Sequence, residues 1–229
     1  MSSQTTKKEL CLGMRIVSRR KAAAPFLAGH MSCKLANGNF LVNRFGSSFA
    51  TVTERDLVEV NHNGKIVEGT GEVNATIKLH CYIHQLRPDA TAVCHSHPYN
   101  TNTFSALRKD LIIYDQESCL LYDDFIVAEK KHASLDTSDS IAQLLSEHTD
   151  KHIVLAPNHG CFTIGSSIAW SVLRMLMVEH ACSRNLKLLQ TGFTAQGISD
   201  AAAENIKNQQ LSLKAIDAFW LNEVKLLTN

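Results

Sequence analysis

The run Ala92-Val93-Cys94-His95-Ser96-His97-Pro98 decides how this chain is read. Its small and apolar residues form a short strand over Thr91 to Cys94, and the proline ends it, which places both histidines at a strand edge where a cleft opens. Alternate side chains on a strand share a face, so His95 and His97 point the same way while Cys94 turns into the core. Two imidazoles at this spacing need a third donor from elsewhere, because a catalytic metal commonly takes three protein ligands and leaves a position open. His159 is the candidate. It lies in Pro157-Asn158-His159-Gly160, between the apolar strands Ile153-Val154-Leu155 and Cys161-Phe162-Thr163-Ile164. Gly160 allows close backbone approach there, and Asn158 is placed to orient the imidazole. On residue pattern alone, three half-buried structural histidines fit the same spacing.

Working outward, Thr76 to Leu86 reads as a helix with Ile77, Cys81 and His84 on one stripe, stopping before Arg87-Pro88-Asp89. Asn37-Gly38-Asn39 and Asn61-His62-Asn63-Gly64 each sit between apolar runs and predict two hairpins, over Gly29–Asn43 and Asp56–Val67. Leu111-Ile112-Ile113 reads as a strand before Glu117. Ser166 and Ser167 cap a long helix whose core stripe is Ala169, Val172, Leu173, Leu176 and His180. Residues 1–12 read as a loose tail, 14–27 as a helix disturbed by Pro25, and 201–227 as one final helix. This order predicts a three-layer α/β/α sandwich on a mostly antiparallel central sheet, with residues 1–229 as a single domain.

The bulk numbers exclude several classes. Apolar residues make up 45% of the 229 and charged residues 20%, at a net charge of +1, which suits a globular protein with one large core. The one basic cluster, Arg15 to Lys21, reads as a solvated helix face, so no nucleic-acid partner is expected. No apolar run approaches the ~20 residues of a membrane helix, and the polar start MSSQTTKKEL has no signal core, so a cytoplasmic location without membrane association is expected. Seven unpaired-looking cysteines, none in a CxxC pair, point to reduced, buried thiols.

The stretch Gly71–Thr101, GEVNATIKLHCYIHQLRPDATAVCHSHPYNT, together with Gly29–Arg44, Val154–Gly160 and the helix reaching Val178-Glu179-His180-Ala181-Cys182, resembles the class II aldolase/adducin family over roughly residues 14–190. The resemblance implies that His95, His97 and His159 hold a divalent metal, zinc first, with iron, manganese or cobalt as alternatives. It also implies an enediolate intermediate in carbon–carbon cleavage and a homotetramer with active sites at subunit interfaces.

The departures narrow the reading. Where the sugar-phosphate aldolases of this family carry Ser-Ser-Glu, with the glutamate as acid/base, this chain has Asn74-Ala75-Thr76. A threonine hydroxyl cannot act as a base near neutrality. At the family's catalytic tyrosine the match is Phe125, with Tyr122 nearby, and the phosphate loop is altered to Asn43-Arg44-Phe45-Gly46-Ser47-Ser48. The resemblance is therefore nearer to the metal-dependent decarboxylase branch and to adducin's non-enzymatic head than to the aldolases. His80, one turn after Thr76, Glu117 and Tyr122 are the remaining candidate catalytic groups. Arg44, Gly46, Asn74 and Thr76 are the candidate substrate-binding groups, Arg44 as a partner for a carboxylate. The expected function is a metal-dependent C–C lyase of decarboxylase or aldolase type. Its substrate would be a small, unphosphorylated oxo or hydroxy acid or carbonyl compound, cleaved through a metal-stabilised enolate. The alternatives are an adducin-like interaction module and a non-haem iron oxygenase.

Overall fold

In the computed structural model, which describes residues 3–23, 29–128, 138–210 and 212–228, the Asn37-Gly38-Asn39 turn joins β1 (His30–Lys34) to β2 (Phe40–Asn43). Gly38 sits at φ +86°, a left-handed conformation that favours glycine. The Asn61–Gly64 turn joins β3 (Leu57–Val60) to β4 (Ile66–Glu68). With β5 (Ala92–Ser96), β6 (Phe125–Val127), β7 (Ile153–Ala156) and β8 (Gly160–Gly165), these form an eight-stranded sheet in the order β4-β3-β2-β1-β5-β8-β7-β6. Only the β6–β7 pair within it is parallel.

The helices are α1 (Ser3–Arg19), α2 (Ile77–Leu86), α3 (Tyr99–Ser105), α4 (Ser138–Glu147), α5 (Ile168–Gln190), α6 (Asp200–Gln210) and α7 (Leu213–Thr228). Strand alternation sorts them onto two faces. Ala92 and Cys94 join the core shared with α1 and α5, while Val93 joins the core shared with α2 and α4. The α/β/α sandwich on a mostly antiparallel sheet follows. All seven cysteines are free and buried. Among the described residues no helix is long and apolar enough to cross a membrane.

Several expectations are corrected. Residues 3–12 are not loose: they form the first half of α1, because Thr6, Leu10, Met14 and Val17, with Cys11 and Ile16 beside them, make a buried face along the helix. The helix expected over 14–27 ends at Arg19, with Lys21 in the left-handed region at φ +60°, and residues 24–28 around Pro25 lie outside the described residues. Leu111, Ile112 and Ile113 form no strand, and Asn185 on α5 satisfies both backbone groups of Ile112 instead. On α5 the buried face is Ile168, Val172, Met175, Val178 and Cys182, with Leu173 and Leu176 only half-buried and His180 exposed. The helix is apolar on two sides, so periodicity did not fix its phase. The single final helix is two helices, and the Ser212 hydroxyl accepts the Ala215 N–H at the start of the second. On α7, Ile216 is buried, and Phe219, Trp220 and Val224 pack half-buried against the main core.

The Arg87-Pro88-Asp89 run has a structural use. The Arg87 side chain is 1% exposed; it donates to Asp89 through Nε at 2.8 Å and Nη2 at 2.7 Å, and to the carbonyls of Leu145 and Lys151 through Nη1 at 2.8 Å each. It ties the end of α2 to the α4–β7 connection. Nearby, the buried Asp124 accepts from His152 Nδ1 and from Arg174 Nε, joining β6, β7 and α5.

Register gives the two ends of the sheet different residues. His30 pairs with His95, Ser96 with Cys161, and Ala156 with Gly160, all at one end. The Met31 N–H donates to Asn43 Oδ1 at 2.9 Å, so the 44–48 loop departs from that end too. Phe125 pairs with Ile153 at the opposite end, about 10 Å away along β7 at 3.3 Å per residue.

Candidate metal centre

His95 belongs to β5, His97 lies just beyond it, and His159 sits in the three-residue loop between β7 and β8. The His159 N–H closes that loop onto the Ala156 carbonyl at 3.0 Å. Asn158 takes φ +61° and is exposed, a left-handed position that asparagine tolerates better than most residues. Its place in the sequence thus has a backbone reason; the role of orienting the imidazole that was expected of its side chain is not seen among the hydrogen bonds of the described residues. Gly160 has a steric reason. A Cβ there would lie 2.5 Å from His97 Cδ2 and 2.5 Å from the Ser96 carbonyl oxygen, so any side chain would displace His97.

The three imidazoles are mutually near-perpendicular, at 70°, 84° and 83°, with centroids 4.9–5.1 Å apart. The Nε2 atoms of His95 and His97 face each other at 3.1 Å. One nitrogen from each of the three lies within 4.8 Å of the others. Metal–nitrogen bonds of about 2.0–2.1 Å put tetrahedral donors roughly 3.3 Å apart, so this set fits a divalent cation with modest ring adjustment. His95 Nδ1–H donates to the Cys161 carbonyl at 3.0 Å, which fixes the tautomer and leaves Nε2 bare for a ligand. Burial holds His95 well below its ordinary pKa, His97 at about 4 and His159 lower than usual, so all three are neutral near pH 7, as ligands must be.

His30 was not singled out in the sequence and belongs to this group. It lies opposite His95 across β1–β5 and stacks on it at 5.8 Å and 13°, and His95 in turn stacks on Phe162 at 3.9 Å and 10°. Its Nδ1 is 3.4 Å from Thr76 Oγ1. Thr76 is fixed through Asn74, whose Oδ1 accepts the Thr76 N–H and hydroxyl at 3.0 and 2.9 Å. The Gly-His-Met-Ser start of a strand was the available signal, but pairing β1 with β5 is a tertiary fact that no local spacing reveals.

His80 lies behind this layer, 0% exposed. His84 Nδ1–H donates to the Ala90 carbonyl at 2.6 Å, so His84 Nε2 accepts from the Ser32 hydroxyl at 2.8 Å. Ser32 Oγ then accepts from His80 Nδ1–H at 2.8 Å. His80 Nε2 is left with a buried lone pair and no partner. Burial and the neighbouring His30 and His84 hold His80 far below its ordinary pKa.

These buried neutral histidines predict acid sensitivity. His84 and His30 are pushed down to about 4, chiefly by burial, whereas they titrate at about 6.5 once unfolded. Between pH 6.5 and 4 the unfolded chain binds more protons, so stability falls as the pH drops through that window and is constant above it. Each such histidine contributes a slope of up to ~1.4 kcal/mol per pH unit. Urea unfolding of metal-free protein at pH 7.5, 6.5, 5.5 and 4.5 checks this; a flat profile below pH 6.5 would contradict the neutral-histidine assignment.

The other sequence candidates are distributed. Arg44 Nη2 donates to Asp56 at 2.7 Å, and the side chain is 41% exposed. With Gly46, Ser47, Ser48 and Glu72 it lines a pocket at the histidine end of the sheet. Glu117 is exposed, in a short 3-10 turn (Glu117–Leu121), and lines a cleft with Asn100, Glu179, His180 and Phe219. Tyr122 precedes β6 at the opposite end of the sheet, with its carbonyl held by Lys207, so one chain does not bring it to the three histidines.

Comparison with known proteins agrees with this architecture. The chain is 25% identical over 163 residues to the meiotically up-regulated gene 14 protein of Schizosaccharomyces pombe, covering 69% of this chain and 63% of that protein. It is 27% identical over 145 residues to the decarboxylase NovR of Streptomyces niveus, covering 62% of this chain and 54% of NovR. The match thus spans under two thirds of either relative's length. The structure of L-fuculose 1-phosphate aldolase from Glaciozyma antarctica PI12 superposes with a TM-score of 0.85 at 29% identity, covering 97% of this chain and 88% of that one. The profile of the class II aldolase and adducin N-terminal domain matches residues 8–186, and the chain belongs to that family.

Proposed function

We propose that this chain is a metal-dependent C–C lyase, of decarboxylase or retro-aldol type, for a small unphosphorylated oxo or hydroxy acid or carbonyl compound. The observation that carries this reading is the composition of the centre. His95, His97 and His159 converge, and the metal-ligand cluster contains no carboxylate among the described residues. Where the aldolase pattern has glutamate, the Thr76 hydroxyl meets His30 instead. A divalent cation bound there, zinc first among zinc, iron, manganese and cobalt, would act as a Lewis acid on a chelated carbonyl and stabilise the charge left when the carbon–carbon bond breaks. With three neutral ligands the cation keeps its full charge, which favours an anionic, chelating substrate. Loss of carbon dioxide requires no base to remove a hydroxyl proton first, so a site without that glutamate suits it.

Within the proposal, Asn74 and Thr76 hold substrate oxygens beside His30, and Arg44, with N–H groups beyond the one on Asp56, meets a substrate carboxylate from the Gly46 loop. His80 offers its bare Nε2 as a buried hydrogen-bond acceptor behind His30, in the neutral form in which burial holds it. Glu117 faces the neighbouring cleft as a second acid/base candidate. The protein works as a cytoplasmic homotetramer, and Tyr122 joins the site across a subunit boundary.

The test is a substrate panel on metal-loaded protein. Fuculose, rhamnulose and ribulose phosphates are expected to turn over at least 10²-fold below an ordinary kcat of ~10 s⁻¹, since loss of a positioned acid/base typically removes 10²–10⁴ in rate. Unphosphorylated 2-oxo and 2-hydroxy acids supply the positive arm. Turnover of any of those phosphates at ~10 s⁻¹ would overturn the substrate class. Protein purified without bound zinc, iron, manganese or cobalt, and taking up none, would favour the adducin-like module.

A further inference from the structure

Val178-Glu179-His180, in the middle of α5, is a stretch of the family pattern that the metal centre does not itself use. Glu179 is 8% exposed, and its carboxylate accepts four hydrogen bonds, all from α3. Oε1 takes the Asn100 N–H at 3.0 Å and Asn100 Nδ2 at 2.7 Å. Oε2 takes the Thr101 N–H at 2.8 Å and the Thr101 hydroxyl at 2.7 Å. The two backbone groups are first-turn donors that no intrahelical carbonyl can serve, and the N-cap residue, Pro98, has no side-chain acceptor for them.

The clamp lies close to the ligands. Only Pro98 and Tyr99 separate His97 from Asn100; Pro98 is rigid, and Tyr99 is 76% exposed. His95 is held within the sheet by strand pairing, the Cys161 carbonyl and Phe162. His97 lies beyond the last residue of β5, and among the described residues its ring meets the bare Nε2 of His95, the His159 ring and the backbone at Gly160, with no hydrogen bond to a backbone carbonyl to hold it as the Cys161 carbonyl holds His95. Its position therefore depends on how the chain leaves the strand, and the Glu179 clamp sets that exit.

We infer that Glu179 is a positioning residue of the metal centre: from α5 it fixes the start of α3 and through it the place of His97. The inference rests on the metal-binding reading above. It is tested on the full chain with Zn²⁺, by competition with a chromophoric chelator and by the rise in Tm on adding metal. Glu179→Gln puts an amide NH₂ against two donors. It is expected to weaken Zn²⁺ binding by about 10–100-fold, the usual effect of removing a group that orients a ligand, and to shrink the metal-induced rise in Tm. Thr101→Val and Asn100→Ala each remove one donor from the opposite side and are expected to weaken binding by a smaller factor; they carry the test if Glu179→Gln does not fold. A merely structural glutamate would lower the Tm of the metal-free protein and leave Zn²⁺ affinity unchanged. Unchanged affinity in folded Glu179→Gln, or in both donor variants, overturns the inference while wild-type binding stands. Absence of Zn²⁺ binding by wild type removes the metal reading and this inference together.

Discussion

Replacing His95, His97 or His159 by alanine, one at a time, is expected to lower bound metal from about one ion per chain to under a tenth of that after dialysis, since a three-ligand site does not survive as two. The variants should differ in stability. His95 is fully buried between His30 and Phe162, so His95→Ala leaves a cavity and costs roughly 2–4 kcal/mol, in the range of large-to-small core changes. His97 and His159 are half-buried, and their removal should leave the metal-free protein within ~1 kcal/mol of wild type. Elemental analysis beside urea unfolding reads both quantities. Full metal content in any one variant would show that its histidine is not a ligand.

Arg87→Ala is expected to have the largest effect on stability, roughly 3–5 kcal/mol, because it empties the space of a buried side chain and strands the carbonyls of Leu145 and Lys151 that the guanidinium now serves; its pair with the exposed Asp89 adds little. For a chain of this size that is a fall in Tm of roughly 10 °C. The change lies at the sheet end remote from the histidines, so the folded fraction should bind metal as wild type does. A loss under ~1 kcal/mol would mean that water replaces the guanidinium as donor.

What could be read in the sequence was local. The two Asn-Gly turns, the strands around 153–164, the helix 76–86 and the His-Ser-His-Pro step each carry their signal within a dozen residues, and the structure has all of them. What could not be read depends on partners far along the chain. The first half of α1 looked like a tail because few of its residues, Thr6, Leu10 and Cys11, are buried and the rest are mostly polar. The phase of α5 was misjudged because buried Arg174 and Glu179 look like surface residues until Asp124 and α3 supply their partners. His30 looked unremarked in a strand until β1 was seen to pair with β5. Arg87, read in the sequence only as part of the run that stops a helix, proved to be a tie between two connections.

The stacked column His30–His95–Phe162 also bears on how the molecule assembles. Its three rings come from adjacent strands β1, β5 and β8, each about sixty-five residues from the next in sequence. Contacts of that span form only after large loops have closed, so the column belongs to the late, slow part of folding. The metal ligands acquire their geometry when this column registers. A cation that prefers the finished centre would therefore slow unfolding more than it speeds folding, acting as a lock on the completed sheet instead of a nucleus for it.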